Sequence, residues 1–469
     1  MLTLYSAHDA RNCAGVSRRD FLRVGTLGLG GWTLGGLLGL KNQLQAAARG
    51  SDFIRDKAVV LLFLSGGASH IETFDPKMNA PDGVRSATGE VKTTLAGVTF
   101  GGTFPQLARH AHRMAIVRTF QHLVGDHEKA IRHVLTGGTS VDGKEANGFS
   151  IGSAYTRLRG ANHPSTGMPT YGLLQTDEID PQYRNEKKRV EVGSAAGPLG
   201  VSYGPFDPAG GGPTVTNMQL RMPEARLDNR RELLRSLDRM KREADTSGSL
   251  VGYDRFEEQA FQLILGGATQ AFDVTKEDRR IVERYNTSGY QVGHKKFMPC
   301  QLGRHLLLAR RMCEAGCGFV TIHSAGWDMH ADSNNPGIHR GMEMLGRPLD
   351  KAVSAFLEDV EARGLSDKIL LVITGDFGRT PKINARGGRD HWTKLCTLAF
   401  AGGGLKMGQV IGDSDRAAAA PTGDPVSTPH LMATLLHALF DVPQLRLQSG
   451  LPREIMDLVD RGQPIEQLF

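Results

Sequence analysis

The chain has 469 residues, a formal net charge of +6 and five cysteines, which is enough for one large domain with insertions or for two domains. Residues 1–48 hold five basic and two acidic residues (net +3), so residues 49–469 carry only +3, with no dense basic stripe interleaved with aromatics; this argues against nucleic acid as the main partner. Beyond Cys13, the four cysteines Cys300, Cys313, Cys317 and Cys396 are too few for a disulfide scaffold in an exported chain of this length and are expected as buried free thiols.

In chain order, Ser17-Arg18-Arg19-Asp20-Phe21-Leu22 precedes an uncharged stretch at 24–40 that seven glycines dilute. Adjacent arginines, a glycine-diluted apolar tract and the small residues Ala46-Ala47-Ala48 resemble a twin-arginine export signal with its cleavage site; a membrane anchor is more continuously apolar. The expectation is a signal peptide at 1–48, a mature domain at 49–469 that is periplasmic or secreted, and contact with the membrane only during export.

Residues 58–64 form a continuous apolar run, the kind buried on both faces of a parallel sheet. It ends in Ser65-Gly66-Gly67-Ala68-Ser69-His70, where glycine permits a tight turn and close backbone approach. A helix is predicted at 104–112, a short strand at 114–118, and a helix at 126–135 closed by Gly137-Gly138. From 161 the pattern loosens, and 221–244 and 253–275 read as long helices with alternating charge, as on solvated faces. The span 161–296 is therefore expected outside the main sheet as a largely helical cap. The α/β rhythm resumes with a helix at 302–314, a strand at 318–323, a helix at 341–363, strands at 368–374 and 394–400, and a final helix at 429–439.

Three acid and histidine clusters lie at or shortly after predicted strand ends: Gly326-Trp327-Asp328-Met329-His330, Thr374-Gly375-Asp376-Phe377-Gly378-Arg379 and Arg389-Asp390-His391-Trp392. In a parallel α/β sheet, ligands gather outside the carboxyl ends of the strands, so separated segments can meet at one place. Carboxylate oxygen with imidazole nitrogen suits zinc, manganese or iron better than calcium. One or two divalent ions held by Asp328, His330, Asp376 and His391 are expected, with His323 and Asp332 in reserve. The alternatives are that Asp328 caps a turn with His330 at the surface, and that Asp376 simply pairs with Arg379. His70, Glu72 and Asp75 in the first half are further candidates, as are Asp126 and His127 at a helix start, where free amides and the dipole favour an anion.

This order of elements is similar to the alkaline phosphatase superfamily, which includes sulfatases. The stretches Gly66-Gly67-Ala68-Ser69-His70-Ile71-Glu72-Thr73-Phe74-Asp75-Pro76-Lys77, Gly326-Trp327-Asp328-Met329-His330 and Gly375-Asp376-Phe377-Gly378-Arg379-Thr380-Pro381, with the twin-arginine start, resemble more closely the exported domain of unknown function 1501 family. The resemblance implies an α/β fold, a three-layer α/β/α sandwich around a mostly parallel sheet, and hydrolysis of phosphate or sulfate esters. It implies a first metal on Asp328, His330 and His391, with Asp376 at the second metal's position and His127 at or beside the place of the usual nucleophile. Three departures stand out: Ser65-Gly66-Gly67 lacks the superfamily's first-strand aspartate, Phe377 replaces the usual His or Asn, and no Ser, Thr or Cys nucleophile is evident. His127 is then a nucleophile or ligand, a metal-bound water attacks directly, or activity has been lost. Arg379 is expected to steady the anion. The competing expectation is a non-catalytic, metal-containing protein that binds sulfated or phosphorylated polymers or a protein partner.

Overall fold

The computed structural model describes residues 53–138, 148–175, 180–208 and 268–469. The expected signal peptide at 1–48, the expected helix at 221–244 and most of that at 253–275 lie outside the described residues. Seven strands form the main sheet: β1 (Ala58–Leu64), β2 (Met114–Val117), β3 (Tyr171–Gln175), β4 (Phe319–Ser324), β5 (Ile369–Gly375), β6 (Leu398–Gly402) and β7 (Gln409–Ile411). Their order is β7-β2-β6-β5-β1-β4-β3. β1 lies between β5 and β4, parallel to both, with Ala58 opposite Ile369 and Val59 opposite Phe319. Only β6 runs against the rest, pairing antiparallel with β5 and β2.

The apolar run of β1 explains its central place. Val60, Leu62 and Leu64 enter one core, with the helices α4 (Leu302–Glu314) and α5 (Arg347–Ala362). Val59, Leu61 and Phe63 enter the other, with α1 (His127–Thr136), α2 (Ile151–Arg159), α3 (Pro181–Gly193) and α6 (Thr428–Leu439). Both faces are thus covered, which makes three layers. Each fully buried valine, leucine or phenylalanine contributes about 1.5–3 kcal/mol relative to exposure, so this strand belongs inside the sheet. All four described cysteines are buried free thiols.

Three expectations are corrected. The span 161–296 is not wholly outside the sheet: Tyr171-Gly172-Leu173-Leu174-Gln175 is a fully buried edge strand, too short a run to stand out among Gly and Pro. From the same span, α3 packs on α1. The helix expected at 341–363 opens with a π-helical turn at Met342–Gly346 before α5 begins; Pro348 near its start has no N–H to continue the upstream ladder. The predicted final helix is followed by two more, Val442–Arg446 and Arg453–Asp460. Among the described residues no helix is long and apolar enough to cross a membrane.

Candidate metal centre

The site forms where the loops after β1, β4 and β5 pack backbone to backbone. Gly66 and Gly67 have φ of +99° and +87°, and a Cβ on Gly66 would overlap the Asp328 nitrogen. Only glycine suits both demands. The loop after β4 is fastened by Trp327, whose backbone N–H donates to Ser65 O (3.0 Å) and whose indole N–H donates to Ser324 Oγ (3.1 Å). A short antiparallel pair, Gly378–Arg379 with His391–Trp392, sets Arg379 opposite His391. The fourth contributor is α1, whose first residue is His127; Asp126 caps it, accepting from Lys129 N at 3.0 Å.

Asp328 is the centre of this arrangement. His330 Nε2 lies 2.9 Å from Asp328 Oδ1, His391 Nε2 3.4 Å from the same oxygen, and His127 Nε2 3.4 Å from Oδ2. Each ring turns its other nitrogen to an outside acceptor: His127 Nδ1 to Asp376 Oδ2 (2.7 Å), His330 Nδ1 to Asp390 Oδ1 (2.9 Å) and His391 Nδ1 to Gly125 O (3.0 Å). Such contacts fix the tautomer, placing the proton on Nδ1 and leaving Nε2 as a donor to a metal. His330 Nε2 and His391 Nε2 stand 3.0 Å apart, a distance two bare lone pairs avoid unless a proton or a cation lies between them. Ligand atoms of His127, Asp328 and His391 all lie within 4.8 Å of one another. Three imidazoles and one carboxylate fit a divalent ion of the zinc type.

Asp376 is wholly buried. Its Oδ2 accepts from Gly66 N (3.1 Å) and faces His127, while Oδ1 has no hydrogen-bond partner among the described residues. Burial pulls the pKa of His127 down, but the hydrogen bonds and fields of Asp328 and Asp376 outweigh it and raise it to about 9. Burial would raise Asp328, but Arg379 and the three imidazoles hold it far below the usual carboxylate range. His330 is raised, chiefly by its bond to Asp328. His391, although it also touches Asp328, is lowered by burial, and the charges of Arg379 and His127 add to that. Without an ion, Asp328 and Asp376 are compensated by Arg379 and by a proton on His127, and the same field favours the charged form of His330. A divalent cation would displace those protons.

Arg379 does not have the role expected of it. A guanidinium has five N–H groups, and here all are turned inward: Nε to Gly67 O (2.8 Å), Nη1 to Arg389 O and toward His330, Nη2 to Gly66 O and Asp328 Oδ1 (2.5 Å to the last). It binds three loops and Asp328 together and has nothing left for an anion.

The structure gathers His127, Asp328, His330, Asp376 and His391 at one place, with Asp390 one contact behind His330. The other candidates fall elsewhere. His70 reaches Ala418 O (3.0 Å), and Asp75 meets Ser414 Oγ, Lys77 and Arg118, so both hold the loop near 414–418. Glu72 forms a fully buried pair with Arg389 (2.8 Å), and Asp332 accepts from Asn334 N and Asn335 N in a local turn. His323 faces Ser65 Oγ at 2.9 Å. Asp126 only caps α1. Missed entirely was Glu186, which sits in a charge-rich segment that reads as a solvated helix face.

No curated relative matches the chain in sequence. Among solved structures, the chain is similar to the PsFucS1 sulfatase from Pseudoalteromonas sp. (14% identity, 91% of this chain and 76% of that one, TM-score 0.34). It is similar also to the phosphonate monoester hydrolase SpPMH from Silicibacter pomeroyi (12%, 87% and 76%, 0.37) and to an alkaline phosphatase from the Antarctic bacterium TAB5 (11%, 87% and 99%, 0.33). At such scores the chemistry of this chain has to be read from its own side chains. Its family is settled by sequence, because the model described as protein of unknown function (DUF1501) matches residues 56–469, and the chain belongs to that family.

Proposed function

We propose that this protein is an exported, metal-dependent hydrolase of phosphate or sulfate esters. The observation that carries this reading is the convergence of three imidazole Nε2 atoms on Asp328, each ring anchored through Nδ1 by a separate outside acceptor. A cation held there supplies Lewis acidity to an ester oxygen and lowers the pKa of water. The chain's residues do the rest. Asp390 and the Gly125 carbonyl keep the protons of His330 and His391 on Nδ1, and Asp376 does the same for His127. Arg379 keeps Asp328 ionised. The twin-arginine segment would place this activity in the periplasm or outside the cell.

A second reading is a metal-containing binding protein for sulfated or phosphorylated polymers. What favours it is that the gathered groups include no hydroxyl or thiol nucleophile, and that Arg379 is spent on structure. Metal analysis of the purified mature protein, with a panel of aryl phosphate and aryl sulfate esters, decides between them. Bound zinc or manganese with chelator-sensitive turnover supports the hydrolase. Bound metal without turnover supports the binding protein, and a chain that takes up neither ion overturns both.

A further inference from the structure

One buried acid is used by nothing described so far. Glu186 lies on α3, 5% exposed, with no ion-pair partner among the described residues. An isolated carboxylate in such a place is costly. Its Oε2 accepts from Ser65 Oγ (2.5 Å) and from Gly326 N (3.0 Å). These residues begin the two loops that carry the site. Ser65 directly precedes Gly66, whose N–H holds Asp376 and whose carbonyl accepts from Arg379. Gly326 is two residues before Asp328. The helix presses closely here: Gly326 has φ +95°, and a Cβ on it would collide with the hydroxyl of Tyr183, one turn before Glu186. Ser65 Oγ is also 2.9 Å from His323 Nε2 on β4, so Glu186, Ser65 and His323 form one buried chain across β1, β4 and α3.

We propose that Glu186 is a positioning residue of the metal centre: one carboxylate oxygen ties the loop after β1 to the loop after β4, and so fixes Asp328 relative to the Gly66 peptide that holds Asp376 and Arg379. The inference rests on the metal-centre reading above and adds an element that none of the sequence motifs contains. Burial raises the Glu186 pKa to about 7, against the opposing bonds of Ser65 and Gly326. The charges that act on it are those of Asp376 and His127, with Tyr183 on its own helix beside it and His323 on β4 reached only through Ser65. Its bond to the two loops is therefore sensitive to proton concentration in the neutral range.

The test measures zinc affinity by chelator competition, and amide hydrogen exchange at 65–67 and 326–330 in the ion-free chain, for wild type, Glu186→Leu, Glu186→Gln and Glu186→Asp. Glu186→Leu should weaken zinc binding about 10–100-fold, the usual loss when a group supporting a metal ligand is removed. Glu186→Gln, which keeps an acceptor for Gly326 N, should recover most of it and flatten the pH profile of affinity near 7. A folded Glu186→Leu chain with wild-type affinity overturns the proposal. Should that variant not fold, Glu186→Asp, too short to reach both partners, takes its place; unchanged affinity in it is equally fatal. If the wild type binds no zinc, the metal-centre reading falls, and the exchange data alone judge Glu186: faster exchange in both loops upholds the tie, unchanged exchange removes it.

Discussion

Cation affinity at this site should climb steeply with pH between 7 and 9, because His127 must release a proton before its Nε2 can bind an ion. In the ion-free protein that proton is held by Asp328 and Asp376, with the pKa near 9. At pH 7 its removal costs about two pKa units, or about 3 kcal/mol, and at pH 9 half the rings have already lost it, so zinc should bind about 50-fold more weakly at pH 7 than at pH 9 through His127 alone. The sign for folding of the ion-free chain is the opposite one. The folded pKa lies above the ordinary value of 6.5, so the ion-free chain has this contribution in full below about pH 6.5 and loses it as pH rises through 9. Isothermal titration of zinc in two buffers of different ionisation enthalpy counts the protons released. About one should leave on His127's account at pH 7, with a further fraction from His330, and almost none from His127 well above pH 9. Asp376→Asn should lower the His127 pKa and flatten the slope. A zinc affinity that is flat from pH 7 to 9, with no protons released, would refute the ligand role of His127.

Arg379→Lys keeps the charge but offers three donors in place of a five-donor fork; it should destabilise the chain by about 3 kcal/mol, at the low end of the range for breaking a buried pair, and weaken zinc binding, as read by urea denaturation and chelator competition. Asp390→Asn removes the carboxylate that orients His330 and should cost about tenfold in zinc affinity with little change in melting temperature. Glu72→Leu leaves Arg389 buried and unpaired and should cost about 3–5 kcal/mol, of which Glu72→Leu with Arg389→Met together recovers a part.

Central strands and their site loops were readable because their signals are local. An unbroken apolar run such as 58–64 or 369–373 needs cover on both faces, and a strand ending in Gly-Gly or Gly-Asp marks a loop where backbones crowd. Asp376 lies at such an end, Asp328 and His330 come a few residues after another strand, His391 follows the Gly387-Gly388 loop, and His127 opens a helix, so one crevice could be expected to collect them. Three-dimensional facts left no local trace. Glu186 sits in Arg184-Asn185-Glu186-Lys187-Lys188, which reads as solvated, and only the packing of α3 on α1 turns that single residue inward. His70 and Asp75 follow a strand end as promisingly as Asp376 does, yet the short helix His70–Thr73 carries them to the loop near 414–418. Arg379 showed its charge but not its saturation, since three of its acceptors are backbone carbonyls, those of Gly66, Gly67 and Arg389, which any sequence pattern treats as silent.

The guanidinium of Arg379 joins the carbonyls of Gly66, Gly67 and Arg389 to the carboxylate of Asp328. Three segments, the loops after β1, β4 and β5, thus share one rivet, and none of them can change length without pulling on the others. An engineer who wants to retarget this protein therefore has a fixed chassis at these loops. New specificity has to be grafted onto positions outside the rivet, such as the exposed Leu123, four residues before His127 in the chain, where a side chain can be exchanged without moving the centre.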